Sequence, residues 1–137
     1  MFQKVLVPVD LTDRHGPTLD LAARLAGSGE VVVLHVIEVI QGLSRESDPA
    51  FYRRLEAKAN EFVGKLVDGL KQKNVTARGE VRFGNRLGEI LGFASREGAD
   101  LVALASHAVD LAQPGAGPGT LSYRVSWLAR CPVLLVK

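Results

Sequence analysis

Apolar residues gather along this chain in segments of two different periods. Lys4 to Val9 (Lys-Val-Leu-Val-Pro-Val) and Val31 to Val36 (Val-Val-Val-Leu-His-Val) are nearly unbroken apolar runs, which predicts parallel strands covered on both faces. From Val75 to Phe83 the pattern changes: Val75, Ala77, Gly79, Val81 and Phe83 alternate with Thr76, Arg78, Glu80 and Arg82. A period of two with one wet face predicts an edge strand. Asp100 to Ala105 and Val133 to Val136 are short and apolar again, and Pro132 stands where a strand can begin without losing a ladder donor.

Between these runs the spacing becomes helical. Leu19, Ala22, Ala23 and Ala26 share one face, with Pro17 in the first turn and Gly27 or Gly29 at the stop, and the small alanines suit close packing on a sheet. Asp48-Pro49 is an N-cap followed by proline at the first helical position. It opens the longest helix, whose face is traced by Leu55, Ala59, Phe62, Leu66 and Leu70 as far as Asn74. Leu87, Ile90, Leu91 and Ala94 form a third face after Asn85, ended by Gly98. Thr120 caps a fourth helix, with Leu121, Val125 and Leu128 inward and Arg130 near the negative C-terminal end.

Strict alternation of strand and helix, with right-handed crossovers, predicts a doubly wound α/β domain: a five-stranded parallel sheet between two helical layers. Its ligand is expected outside the carboxyl ends of the strands, at the switch point. The connection from Ser106 to Gly119 points the same way. It runs fourteen residues, where such connections usually have about 2–6. Its glycines let backbone amides approach a ligand, and Thr120 then opens a helix whose N-terminal amides suit an anion.

Composition narrows the rest. A chain of 137 residues with 47% hydrophobic content is expected to form one domain over residues 1–137. The net charge of +2 comes from 17 basic and 15 acidic residues that are interspersed, which argues against a nucleic-acid partner. A sole cysteine, Cys131, has no internal disulfide partner. The Met-Phe-Gln-Lys start has no apolar signal region and no run is long enough to span a bilayer, so a cytoplasmic protein without direct membrane insertion is expected. The three histidines and one cysteine lack metal-ligand spacing.

Several pieces together resemble the universal stress protein family: the opening Val-Leu-Val-Pro-Val-Asp, Leu34-His35-Val36, Gly84, Gly-Ala-Asp-Leu-Val at 98–102, and Gly119-Thr120 through Cys131-Pro132-Val133-Leu134-Leu135-Val136. The resemblance covers the whole chain. It implies strand order 3-2-1-4-5, in agreement with the edge character of Val75 to Phe83. It also implies a homodimer joined through the last strand, Val133 to Val136, and a stress-response module that binds ATP or a related adenine nucleotide. Nucleotide-binding members carry Gly, two residues, Gly, nine residues, then Gly and Ser or Thr. Here Ala105 and Ala108 replace the first two glycines, and ten residues precede Gly119-Thr120. An alanine held at positive φ costs about 1 kcal/mol. Gly115 and Gly117 lie inside the loop as permissive positions, whereas Pro114 and Pro118 remove two amide donors from it.

By resemblance, Pro8 and Val36 line the base, Asp10 contacts adenine or ribose, and Ser106, His107, Gly117, Gly119 and Thr120 surround the phosphates. Each has a plainer reading. Asp10 serves equally well as a cap for its own loop, Thr12 and Asp13 as caps nearby, and Thr120 as the cap of the last helix. His107 is then a solvated loop residue, His35 a hydrogen-bonded core histidine, His15 a surface residue, Cys131 a small hydrophobe and Arg86 a solvated helix start. No residue reads as a base poised beside a nucleophile, so catalysis is not expected beyond incidental slow ATP hydrolysis. A phosphorylatable receiver domain shares the alternation but wants a carboxylate after its third strand, where Phe83-Gly84-Asn85 stands. The alternative within the family is a dimeric regulatory or interaction module that works without nucleotide.

Overall fold

A computed structural model describes residues 1–108, 112 and 120–137. Strands β1 (Lys4–Pro8), β2 (Glu30–Ile37), β3 (Thr76–Phe83), β4 (Leu101–Ala105) and β5 (Val133–Val136) alternate with helices α1 (Gly16–Ala26), α2 (Pro49–Gln72), α3 (Arg86–Arg96) and α4 (Leu121–Leu128). All neighbouring strands are parallel, in the order β3-β2-β1-β4-β5. The edge position of β3 agrees with its alternating pattern.

Successive residues of the central strands serve opposite layers, as the pleat requires. Val5, Val7, Val31, Val33 and Ala103 meet α1 and α2 through Leu19, Ala22, Val63 and Val67. Leu6, Val32, Leu34, Val102 and Leu104 meet α3 and α4 through Ile90, Phe93 and Val125. With both faces buried, alternation disappears and the strands become apolar throughout. On β3 the residues of one face remain charged. Arg78 reaches Glu30 at 3.3 Å, Glu80 at 2.6 Å and Glu97 at 2.8 Å, and Arg82 reaches Glu80 at 2.7 Å, so this edge carries an ion-pair network in place of apolar cover. On the other face Gly79 lies under α2, where a side chain would run into Val63.

The expected caps at Asp48 and Asn85 form: their side chains accept from the amides of Phe51 at 3.1 Å and Gly88 at 3.0 Å. Two expected faces shift. The buried side of α2 runs through Tyr52, Ala59, Val63, Val67 and Leu70, with Leu55, Phe62 and Leu66 flanking it half-buried. In α4 only Val125 is fully inward among the three residues expected there. Leu128 lies in the last turn, and Trp127 and Leu128 are 67% and 56% exposed.

A feature of β1 opens the sheet where a site is expected. Lys4 accepts from Asp100 on the β4 side, and Val9 donates to Leu34 on the β2 side, so even residues of β1 face β4 and odd ones face β2. Pro8 therefore lacks its N–H on the β4 side. There the pairing of β1 with β4 runs only through Val5↔Leu101 and Leu6↔Val102. Beyond that point the two strands diverge, and a cleft opens between their carboxyl ends.

Candidate functional site

The cleft has a volume of about 230 Å³, somewhat below the 300–1,000 Å³ usual for small-molecule sites. Pro8 and Asp10 border it from the end of β1, Val36 from β2, Ser106 and His107 from the end of β4, and Thr120 from the start of α4. These six sequence-predicted site residues are brought together from four separate elements. Gly117 and Gly119, with Pro114, Gly115 and Pro118, lie outside the described residues.

Asp10 organises one wall. Its Oδ1 accepts from the Thr12 amide at 3.2 Å and the Thr12 hydroxyl at 2.5 Å, and its Oδ2 accepts from Arg14 at 2.9 Å. His15 Nε2 lies 2.7 Å from Oδ1 and 3.1 Å from the Asp10 amide. Partial burial pushes the Asp10 carboxyl up. Hydrogen bonds from Thr12 and His15 and the charges of Arg14 and His15 outweigh that effect and hold it well below the usual carboxylate range. The Asp10 amide points its N–H at the same Nε2, so this nitrogen stands between a donor and a carboxylate, and a proton on it donates to Oδ1. Asp10 therefore caps its own loop, one of its two expected roles. Because a carboxylate has about four acceptor positions, Oδ2 keeps capacity for a further donor.

His15 corrects the expectation of a surface histidine. It is 2% exposed, occupies the N-cap position of α1 in place of Thr12 or Asp13, and its Nδ1 is buried without a partner among the described residues. A polar-looking stretch, Asp-Leu-Thr-Asp-Arg-His-Gly, hid this role, because burial here comes from the turn that folds His15 back onto Asp10. His35 is fixed by a carbonyl: its Nδ1 donates to the Val9 carbonyl at 2.8 Å, which leaves Nε2 as the remaining acceptor on a half-buried ring that lines the cleft.

The opposite wall joins β4 to α4. The Ser106 and Ser122 hydroxyls are 2.9 Å apart, and the Ser106 amide continues the ladder to Val136 at 2.7 Å. The His107 carbonyl accepts from the Tyr123 hydroxyl at 2.5 Å, and the two rings meet edge to face at 5.7 Å. Thr120 occupies the N-cap position with extended backbone, but its side chain does not make the capping bond that was expected. The first amides of α4 thus start at the cleft without a cap from the Thr120 side chain, and amides at a helix N-terminus suit an anion. Ala105 corrects a second expectation. It is an ordinary strand residue paired with Val136, and the described non-glycine residue with positive φ is Asn74, so alanine at 105 and 108 carries no left-handed backbone strain.

Arg86, at the start of α3, also lines the cleft. It pairs with Glu38 at 3.9 Å, and its amide donates to the same carboxylate at 3.3 Å, so it is engaged and not simply solvated. Cys131 lies elsewhere, packed against the α3–α4 core, and burial pushes its thiol up. Among the described residues, no group of His, Cys, Asp and Glu is arranged to hold a metal ion, and no helix is long and apolar enough to cross a membrane.

Fold and cleft together define a class: a doubly wound α/β protein with its site at the topological switch point. The match to known sequences then makes the chain a member of the Universal stress protein family, whose pattern it fits over residues 1–137. It is 27% identical to the universal stress protein YxiE of Bacillus subtilis (strain 168), over 100% of both chains. Among solved structures it is similar to the hypothetical protein MJ0577, with a TM-score of 0.81, 22% identity and coverage of 100% of this chain and 96% of that one. It is also similar to the universal stress protein from Archaeoglobus fulgidus in complex with dAMP, with a TM-score of 0.72, 20% identity and 98% of each chain covered.

Proposed function

We propose that this chain is a stress-response module that binds an adenine nucleotide in the cleft at the ends of β1, β2 and β4. The observation that carries the reading is the convergence of Pro8, Asp10, Val36, Ser106, His107 and Thr120 on one cleft at the switch point. Pro8 and Val36 offer an apolar surface for the base. Oδ2 of Asp10 has room for a nucleoside donor, and the amides that open α4 face the phosphates. The dAMP bound by the Archaeoglobus fulgidus relative supports the choice of ligand. The role is binding, with ATP hydrolysis at most incidental, and the cytoplasm is the compartment that goes with it. Calorimetric titration with AMP, ADP and ATP is expected to show saturable heat at micromolar to millimolar ligand. No heat with any of the three at high micromolar protein overturns the reading and leaves the nucleotide-independent regulatory module.

The same proposal includes a homodimer through β5. Even residues of this strand serve β4, since Val102 donates to Pro132 and Ser106 to Val136, so Val133 and Leu135 turn their backbone groups toward the outer edge. An exposed edge is a template for a second strand. Leu135→Pro removes an outward N–H without touching the ladder to β4, whereas Leu135→Ala keeps it. Sedimentation is expected to show a dimer for the wild type and Leu135→Ala and a monomer for Leu135→Pro, all with native circular dichroism. A folded Leu135→Pro dimer would rule out this edge.

A further inference from the structure

The cleft gathers every histidine of the chain. The sequence has three, and His15 from the β1–α1 connection, His35 from β2 and His107 from the β4–α4 connection line the same cleft. Their settings differ in a way that matters for charge. His15 is buried and bonded to Asp10, so a charge on its ring is met by the carboxylate 2.7 Å from Nε2. His35 has committed Nδ1 to the Val9 carbonyl, so a second proton goes to Nε2, which has no partner among the described residues. His107 is exposed, with its ring edge-on to Tyr123.

The other charged groups at the cleft leave the last two uncompensated. From the β1–α1 connection come Asp10 and Arg14, already paired with each other. The end of β2 supplies Glu38 and the start of α3 supplies Arg86, again paired with each other. The start of α4 presents the hydroxyls of Thr120 and Ser122, while Tyr123 stands beside His107 with the Lys137 ammonium 5.6 Å from its ring. Among the described lining residues Asp10 is the single carboxylate. Imidazolium at His35 or His107 therefore adds positive charge that no described carboxylate of the cleft neutralises. An anionic ligand would neutralise it.

We infer that the cleft takes up protons together with its anionic ligand, so that His35 and His107 make nucleotide occupancy rise as the medium acidifies. This rests on the nucleotide-binding reading above. A ligand phosphate near an imidazole favours the charged ring, and by reciprocity the charged ring favours the phosphate. Histidine is the side chain whose ordinary charge change lies between about pH 5 and 8.

The test is calorimetric titration of the full chain between about pH 8 and pH 5.5, in buffers of differing ionisation enthalpy, with cyclic AMP, AMP and adenosine as probes. Cyclic AMP is a phosphodiester with no proton to gain in this range. The monoester of AMP takes up a proton near pH 6 and so works against the effect. Cyclic AMP is expected to bind about tenfold more tightly at the acid end, with net proton uptake, while adenosine changes little. AMP is expected to show the same proton uptake by the protein with a shallower change in affinity. The double variant His35→Gln/His107→Gln is expected to flatten the dependence for cyclic AMP. Binding of the nucleotides with no proton uptake by the protein and no dependence on these histidines overturns this inference and leaves the site reading intact. Absence of binding by every nucleotide at every pH overturns both.

Discussion

Replacing Phe93 by alanine is expected to cost about 3–5 kcal/mol, the largest single loss available in this fold. The ring is 2% exposed and sits on the inner face of α3, in the cluster that also contains Leu6, Val32, Ile90, Val102 and Val125. It is the largest fully buried side chain described. Truncation removes its transfer free energy and leaves a cavity bounded by two central strands, whose backbone pairing prevents collapse into the space. The Arg82 guanidinium, 5.4 Å from the ring centroid, loses its partner as well, a smaller effect at a half-exposed site. Against a total stability of about 5–15 kcal/mol for a domain, this is a large fraction. Urea denaturation should show a much lower midpoint at unchanged slope, while Phe93→Leu should lose less than about half as much. A cost for Phe93→Ala below about 1 kcal/mol would mean that α3 is not held as described.

That core was legible because burial on both sides erases alternation, as in Val31 to Val36, and the edge was legible because one-sided burial preserves it, as in Thr76 to Phe83. The faces of the longer helices were harder. A walk that takes mostly steps of four, as Leu55, Ala59, Phe62, Leu66 and Leu70 do, drifts around a helix of 3.6 residues per turn. What fixes the buried side of α2 is Gly79 on β3, which brings Val63 and Val67 closest to the sheet. No local pattern contains that information. In α4 Leu128 is 56% exposed although it shares the helical spacing of the buried Val125, so periodicity alone does not carry burial to the end of the helix.

The site was legible by position more than by chemistry. The resemblance pointed to Pro8, Asp10, Val36, Ser106, His107 and Thr120, and topology carries all of them to the same cleft. The three histidines were read singly and looked unrelated, since they are separated by whole strands and helices. Only the return of each strand end to the switch point joins them. A usable signal existed: collecting every ionisable residue near the carboxyl end of β1, β2 and β4, before judging any of them alone, would have grouped His15, His35 and His107 with Asp10.

Asp10→Ala is expected to weaken AMP binding by about tenfold to a hundredfold and to destabilise the fold by about 1–3 kcal/mol, and the two effects have one origin. The Arg14 pair contributes little, since both side chains are substantially exposed and such pairs are worth about 0–1 kcal/mol. His15 decides the outcome. It is 2% exposed and already has one unpartnered nitrogen, so removal of the carboxylate takes away the acceptor for its ring proton and leaves Nε2 with the residue-10 amide alone. Thr12 is released at the same time, and the loop that forms one wall of the cleft loses its anchor. Arg14→Ala, by contrast, should change stability by less than about 1 kcal/mol.

The pH dependence follows from the lowered Asp10 carboxyl. Below its ordinary value of about 3.9 the unfolded chain binds a proton that the folded chain still refuses, so the unfolded state carries more protons and stability rises with pH there. The contribution of Asp10 is complete above about pH 5 and is lost as the medium is acidified through the folded value. Wild type and Asp10→Ala should therefore differ fully at about pH 5 and approach each other at about pH 3, as read by urea denaturation at both values. A gap that holds constant or widens on acidification would show that the carboxylate does not hold this loop. Loss of AMP affinity at about pH 7 without loss of stability would instead assign Asp10 to the ligand alone.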